Sequence, residues 1–220
     1  MKTIQNIFDN LDLWRNLPAY QLERRADIFF SIYLPEILSR KVGMDIEGVI
    51  PEFPIRVGSI QPEQDINKSF KVDYLAKARD GKTILFVELK TDRSSRRGKQ
   101  DWYLQRASQV GMIELLVGLR QICKVTRSRK KYRVLLGLLQ DMGLIVMDNV
   151  EAFEIVPADY NIQVVYIQPN NPLGQENVIT FEEISQLINK HGDELSLRFS
   201  KSLLKWSNPR VGGSAGKQAC

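Results

Sequence analysis

The stretch Phe70 to Lys90, FKVDYLAKARDGKTILFVELK, consists of two runs rich in Val, Leu, Ile, Phe and Tyr on either side of Asp80-Gly81. Apolar runs of strand length around a turn dipeptide predict a β-hairpin, and Asp-Gly favours a two-residue type I′ turn with positive φ at both central residues. With that turn Arg79 faces Lys82, and the antiparallel register then sets Asp73 directly opposite Glu88. Side chains alternate along a strand, so Leu75, Ile84, Phe86 and Lys90 share the face of the two acids. Tyr74, Ala76, Leu85, Val87 and Leu89 take the other face. Both faces are mostly apolar, as in a strand buried inside a sheet.

Two carboxylates opposed in such surroundings repel each other and are costly to desolvate unless a proton or a divalent cation sits between them. Magnesium, or manganese in its place, suits the position because it uses one or two protein carboxylates and keeps waters and phosphate oxygens for the rest of its shell. Lys90 beside such an ion could orient or deprotonate an attacking water. The remaining inventory narrows the chemistry. A single histidine, His191, excludes reactions that need paired imidazoles, and two cysteines, Cys123 and Cys220, give neither a disulfide framework nor a Cys-x-x-Cys zinc pair.

Working outward, the first forty residues read as helix, with Leu22, Ile28, Phe29, Ile32, Ile37 and Leu38 at helical spacing, a kink or break at Pro35 and a stop at Gly43. From Ile46 to Gly58 the prolines predict loop, with one strand near Ile55 to Ile60. After the hairpin come one long helix over Lys99 to Lys124, a strand over Tyr132 to Leu139, and a strand over Asn161 to Gln168. A short helix over Phe181 to Lys190 follows, capped by Thr180. Helix, strand, hairpin, helix, strand is the order of an α/β sandwich around a mixed sheet.

Val72-Asp73-Tyr74 and Glu88-Leu89-Lys90, with fourteen residues between Asp73 and Glu88, set in that order of elements from about Leu22 to Leu139, resemble the PD-(D/E)XK nuclease superfamily. The resemblance implies a restriction-endonuclease-like three-layer core of helix, mixed sheet and helix, with C-terminal strand and helix additions. It implies magnesium held by Asp73, Glu88 and the carbonyl of Leu89, with Lys90 acting on the water. A glutamate from the first helix would be Glu36, with Glu23 second, and a second-helix glutamine would be Gln105. Gln109 stands where some relatives carry tyrosine, and Val72 stands where the family's name has proline. The activity implied is metal-dependent hydrolysis of nucleic-acid phosphodiester bonds, DNA rather than RNA, by a possible homodimer. The alternative is a catalytically silent domain of the same fold that binds nucleic acid or a protein partner.

Arg93, Arg96, Arg97 and Lys99 follow the acids within a few residues and are candidates for holding the phosphate backbone. Trp102, just inside the helix, reads as core. Lys124 to Arg133 holds six cations and reads as a solvated connection, with a substrate role as an open alternative. Over 220 residues, 31 Lys and Arg against 26 Asp and Glu give a net charge of +5, a mild bias toward polyanions. A 43% hydrophobic content supports one ordinary domain, 1–208, with a flexible tail at 209–220. No apolar run reaches membrane-helix length and no signal-peptide pattern opens the chain, so no membrane partner is expected and the expected location is the cytoplasm.

Overall fold

The computed structural model describes residues 2–64, 68–92, 98–150 and 152–208. The flexible end expected at 209–220 lies outside the described residues. The elements are α1 (Lys2–Trp14), α2 (Leu22–Val42), β1 (Ile46–Arg56), α3 (Val57–Ile60), β2 (Ser69–Ala78), β3 (Thr83–Leu89), α4 (Gly98–Val110), α5 (Met112–Val125) and α6 (Arg129–Asp141). They continue with β4 (Ile145–Met147), β5 (Phe153–Ile155), β6 (Asn161–Gln168), β7 (Val178–Thr180), α7 (Phe181–Ile188) and α8 (Glu194–Trp206). The chain is α/β: helices flank a mixed sheet of five strands in the order β1-β2-β3-β6-β7, and β4 and β5 form a separate pair. Two compact units divide it. One takes the chain up to Ile37, a segment starting at Leu89 and the chain from Tyr166 onward; the other takes Leu38–Glu88 and the chain up to Val165 that follows the segment.

The second of these units carries the hairpin. Tyr74 pairs with Val87, Leu75 with Phe86, Ala76 with Leu85 and Lys77 with Ile84, the register that the sequence predicts. All seven residues of β3 are buried, as a strand apolar on both faces requires. The turn is built differently from the expected type I′. Four residues separate the strands, only Gly81 takes a positive φ, at 76°, and the Asp80 carboxylate accepts hydrogen bonds from the backbone of Lys82 and Thr83 and from the Thr83 hydroxyl. These bonds hold the Asp80 carboxyl below the usual carboxylate range. An Asx-type turn satisfies the same loop without forcing a non-glycine residue into the left-handed region.

β1 runs antiparallel to β2 over Ile46 to Arg56 and continues through Pro51 and Pro54. The strand therefore lies earlier than the Ile55 to Ile60 expected, and Val57–Ile60 is a turn of helix. Proline is tolerated because β1 is at the edge of the sheet. The long helix over Lys99 to Lys124 is two helices that break at Gly111, where φ is 87°. Farther along α5, a Cβ on Gly118 would overlap the Ser59 hydroxyl, so the approach to α3 needs a residue without a side chain.

Tyr132 to Leu139 is not a strand. It belongs to α6, whose Leu136 and Leu139 are fully buried while Val134 and Leu138 are exposed, a helical period that a short apolar run conceals. The strand closing the order helix, strand, hairpin, helix, strand is instead β6. It runs parallel to β3: Asn161 N donates to Lys82 O in the unit with the hairpin, and Lys90 N donates to Ile167 O in the other unit.

Of the kink or break expected at Pro35, the break is absent, since α2, which begins in that other unit, runs from Leu22 to Val42. The interruption falls earlier, between α1 and α2, where Pro18 is followed by Ala19 at a φ of 58°. Ile28 and Ile32 of α2 are exposed, whereas Phe30, Tyr33, Leu34 and Ile37 face inward. Phe8, Phe30 and Tyr33 gather around Phe199 of α8, and Trp206 closes the cluster. Thr180 caps α7 as expected, in a reciprocal capping box with Glu183. Arg198 of α8 is 6% exposed and ties α8 to α1 through Asp9 at 2.8 Å and Asp12 at 2.9 Å. Asp12 also accepts from Lys205, Ser202 and the Trp206 indole.

Candidate active site

The register of β2 and β3, carried one residue beyond the Tyr74 and Val87 pair, sets Asp73 opposite Glu88. Glu88 is 0% exposed, and Asp73 is partly exposed. The fold can bury Glu88 because β3 is central in the sheet, with β2 on one side and β6 on the other. From the first turn of α4, the side-chain amide of Gln100 donates to Glu88 Oε1. That bond fixes the orientation of the carboxylate in the manner of the outer-shell donors that steady metal ligands.

β1 approaches the same point with a strained residue. Its pairs with β2 include Pro51 with Tyr74 and Phe53 with Val72, and between them Glu52 occupies the register position beside Asp73. Glu52 has φ 54°, a conformation that costs an L-residue roughly 1–2 kcal/mol, and its carboxylate meets Lys71 at 2.7 Å.

Leu89, Lys90 and Glu23 belong to the other unit. Lys90 is 5% exposed. Its Nζ donates to the Leu89 carbonyl at 3.0 Å and lies 3.8 Å from Glu23 Oε1. Glu36, the first-helix glutamate expected at the centre, is instead exposed and sits 2.7 Å from His191 Nε2. The glutamine on Glu88 is Gln100, not Gln105, which is exposed. Of the two first-helix glutamates named from the sequence it is thus the second, Glu23, that lies near Lys90. Gln100 does not stand out in the sequence, because it falls in the first turn of a helix whose start is hard to fix there.

Arg93, Arg96 and Arg97 lie outside the described residues. Lys99 is exposed, with its Nζ 5.6 Å from the centre of the Tyr103 ring. Trp102, expected in the core, is 44% exposed and stands edge-on to Tyr103. Tyr103 in turn stacks on Phe70 at 5.0 Å, so one ring of the start of α4 is tied down and the next faces solvent. Cys123 is buried, and burial pushes its thiol up to about 11, which removes it as a nucleophile at neutral pH.

Among the described residues no group of three or more His, Cys, Asp and Glu forms a cage for a metal ion. What the hairpin offers is a pair of carboxylates, one buried and one reaching solvent. Two hard oxygen donors with an open side suit magnesium better than zinc, which takes nitrogen and sulfur ligands in a closed tetrahedron. No family profile, curated protein or solved structure matches the chain.

Proposed function

We propose that the chain is a magnesium-dependent hydrolase of phosphodiester bonds in nucleic acid, DNA rather than RNA, on a restriction-endonuclease-like core. The observation that carries the reading is the hairpin: two acids in register, one of them fully buried, on strands whose remaining residues are mostly apolar. The order α2, β1, β2, β3, α4, β6 supports it, since it supplies helix, strand, hairpin, helix and parallel strand in the sequence that fold requires.

Asp73 and Glu88 would hold the cation, with the Leu89 carbonyl assisting. Once bound, magnesium supplies Lewis-acid stabilisation of the charge that develops on the phosphate. Gln100 keeps the Glu88 carboxylate turned toward its task. Lys90 positions the water whose oxygen attacks phosphorus in line as the bond to the leaving oxygen breaks. Lys99 holds the phosphate backbone, and Trp102 offers an exposed ring on which an unpaired base can stack, worth about 1–3 kcal/mol.

One observation favours a second reading. The Leu89 carbonyl, which the cation would use, accepts a hydrogen bond from Lys90, an arrangement suited to a silent domain that binds without cutting. Incubation of the purified chain with plasmid and oligonucleotide DNA, with magnesium, manganese or EDTA, separates the two. The hydrolase gives metal-dependent nicking that Asp73→Ala, Glu88→Ala and Lys90→Ala each abolish. Binding without cleavage under every condition would leave the silent domain.

A further inference from the structure

The chain's positive charge is concentrated in one place. Ten residues, Lys124 to Arg133, hold six cations and no acid. Without those six the formal charge of +5 becomes −1. The segment ends α5 and opens α6, entirely within the unit that carries the hairpin, and all six cations are exposed. Among the described residues no carboxylate is joined to Lys124, Arg127, Lys130, Lys131 or Arg133.

Local structure does not account for the cluster. Arg129, Lys130 and Lys131 fill the first turn of α6, which contains no acid and whose preceding Ser128 makes no side-chain cap. The helix dipole disfavours cations at that end and favours an anion. Three of the cations, Arg129, Lys130 and Arg133, line a groove of about 530 Å³ together with Asn149 and Val150 from the turn between β4 and β5. Arg129 and Arg133 are one helical turn apart on a single face, a step comparable to that between successive phosphates of a strand.

We propose that this groove and the corner above it bind the sugar-phosphate backbone of nucleic acid, as a contact surface separate from Asp73 and Glu88. The inference rests on the hydrolase reading only in choosing nucleic acid as the polyanion, and its test needs no cleavage. An anionic bilayer fits less well. α6 commits Leu136 and Leu139 to the interior and exposes Val134 and Leu138, a narrower apolar stripe than a helix lying in a membrane interface presents. A groove lined by two guanidiniums, an ammonium and a side-chain amide also matches a chain of phosphates rather than a plane of headgroups.

The test is fluorescence anisotropy of a labelled 30-mer duplex in EDTA at several salt concentrations. It compares the wild type, the triple variant Arg129→Gln, Lys130→Gln, Arg133→Gln, and a control triple Arg24→Gln, Arg25→Gln, Lys41→Gln that removes equal charge from exposed positions of α2. Thermal melts verify that each is folded. The corner variant should bind about tenfold more weakly or worse, and its slope of log K against log salt should fall by about 2 to 3. The control should change affinity less than about twofold. Binding is read in EDTA, without metal or cleavage, so a failed hydrolase reading leaves this result intact. Equal losses from both triples, or no loss from the corner, would overturn the proposal. So would binding of the wild type to phosphatidylserine vesicles, lost in the corner variant, with none to the duplex.

Discussion

The cluster around Arg198 in one unit and the hairpin acids in the other are built on different plans. Around Arg198, cation and anions are matched: the guanidinium meets Asp9 and Asp12, and Asp12 also receives Lys205, Ser202 and Trp206. In the hairpin, Glu88 is more deeply buried and accepts from the neutral amide of Gln100, and the register, extended by one residue, sets a second acid across from it. A balanced cluster explains itself as architecture, since it fastens α1 to α8. Two acids in register on an otherwise mostly apolar hairpin fasten no such pair of helices, and they are the groups that the proposed cation would use.

The contrast breaks most directly at Glu88. Glu88→Ala should reduce magnesium-dependent cleavage by at least about a thousandfold, near the upper end of what loss of one transition-state stabiliser costs, while the protein stays folded. Comparable cleavage in the variant would reduce the hairpin to architecture. Asp12→Ala should do the reverse. It leaves Arg198 buried without its inner acid, costs about 3 to 5 kcal/mol in thermal or urea melts, and leaves turnover per folded molecule unchanged.

Gln100→Ala sharpens the comparison further. If the amide orients a ligand, magnesium affinity read by calorimetry should weaken about 10- to 100-fold, while Gln105→Ala should stay within about twofold of wild type. Glu88→Gln removes one of two opposed charges, so without metal it should raise stability by about 0.5 to 1 kcal/mol, or about 2 to 4 °C at the upper value. A lower melting temperature would show that the carboxylate pair is balanced like the other cluster.

The smallest effect is in acid. Burial pushes the Asp12 carboxyl up, but Lys205, Ser202 and Arg198 together hold it below its ordinary value, and Arg198 and Gln5 hold Asp9 below its own. Folded values below the unfolded ones mean that this contribution is complete above about pH 4 and disappears as the pH falls through the folded values. Melting temperatures from pH 6 to pH 3 should drop less steeply in Asp12→Asn than in the wild type.

What could be read in advance was local. The hairpin register, β6 and the capped α7 follow from alternation, a turn dipeptide and a Thr-x-x-Glu box, each complete within a few residues. Sequence pattern misleads where a distant partner decides the local structure. Leu136 and Leu139 are buried on one side of a helix, yet in sequence they look like half of a strand. Pro51 and Pro54 stay in β1 only because it lies at an edge. Likewise the acids at 73 and 88 could be placed by register alone, whereas seating Gln100 on Glu88 and Glu23 near Lys90 depends on how α4 and α2 dock, which no motif encodes.

The parallel pairing of β3 with β6 also sets a timetable. Antiparallel neighbours need only a tight turn, so β1, β2 and β3 can assemble as they leave the ribosome. The partner of β3 on its other side begins at Asn161, about 70 residues later, a delay of roughly 4 to 14 s at ordinary translation rates. Throughout that interval a strand that is buried along its whole length in the folded protein has an open flank on the nascent chain, and a circular permutant in which β6 is synthesised before β3 should raise the yield of soluble protein on expression.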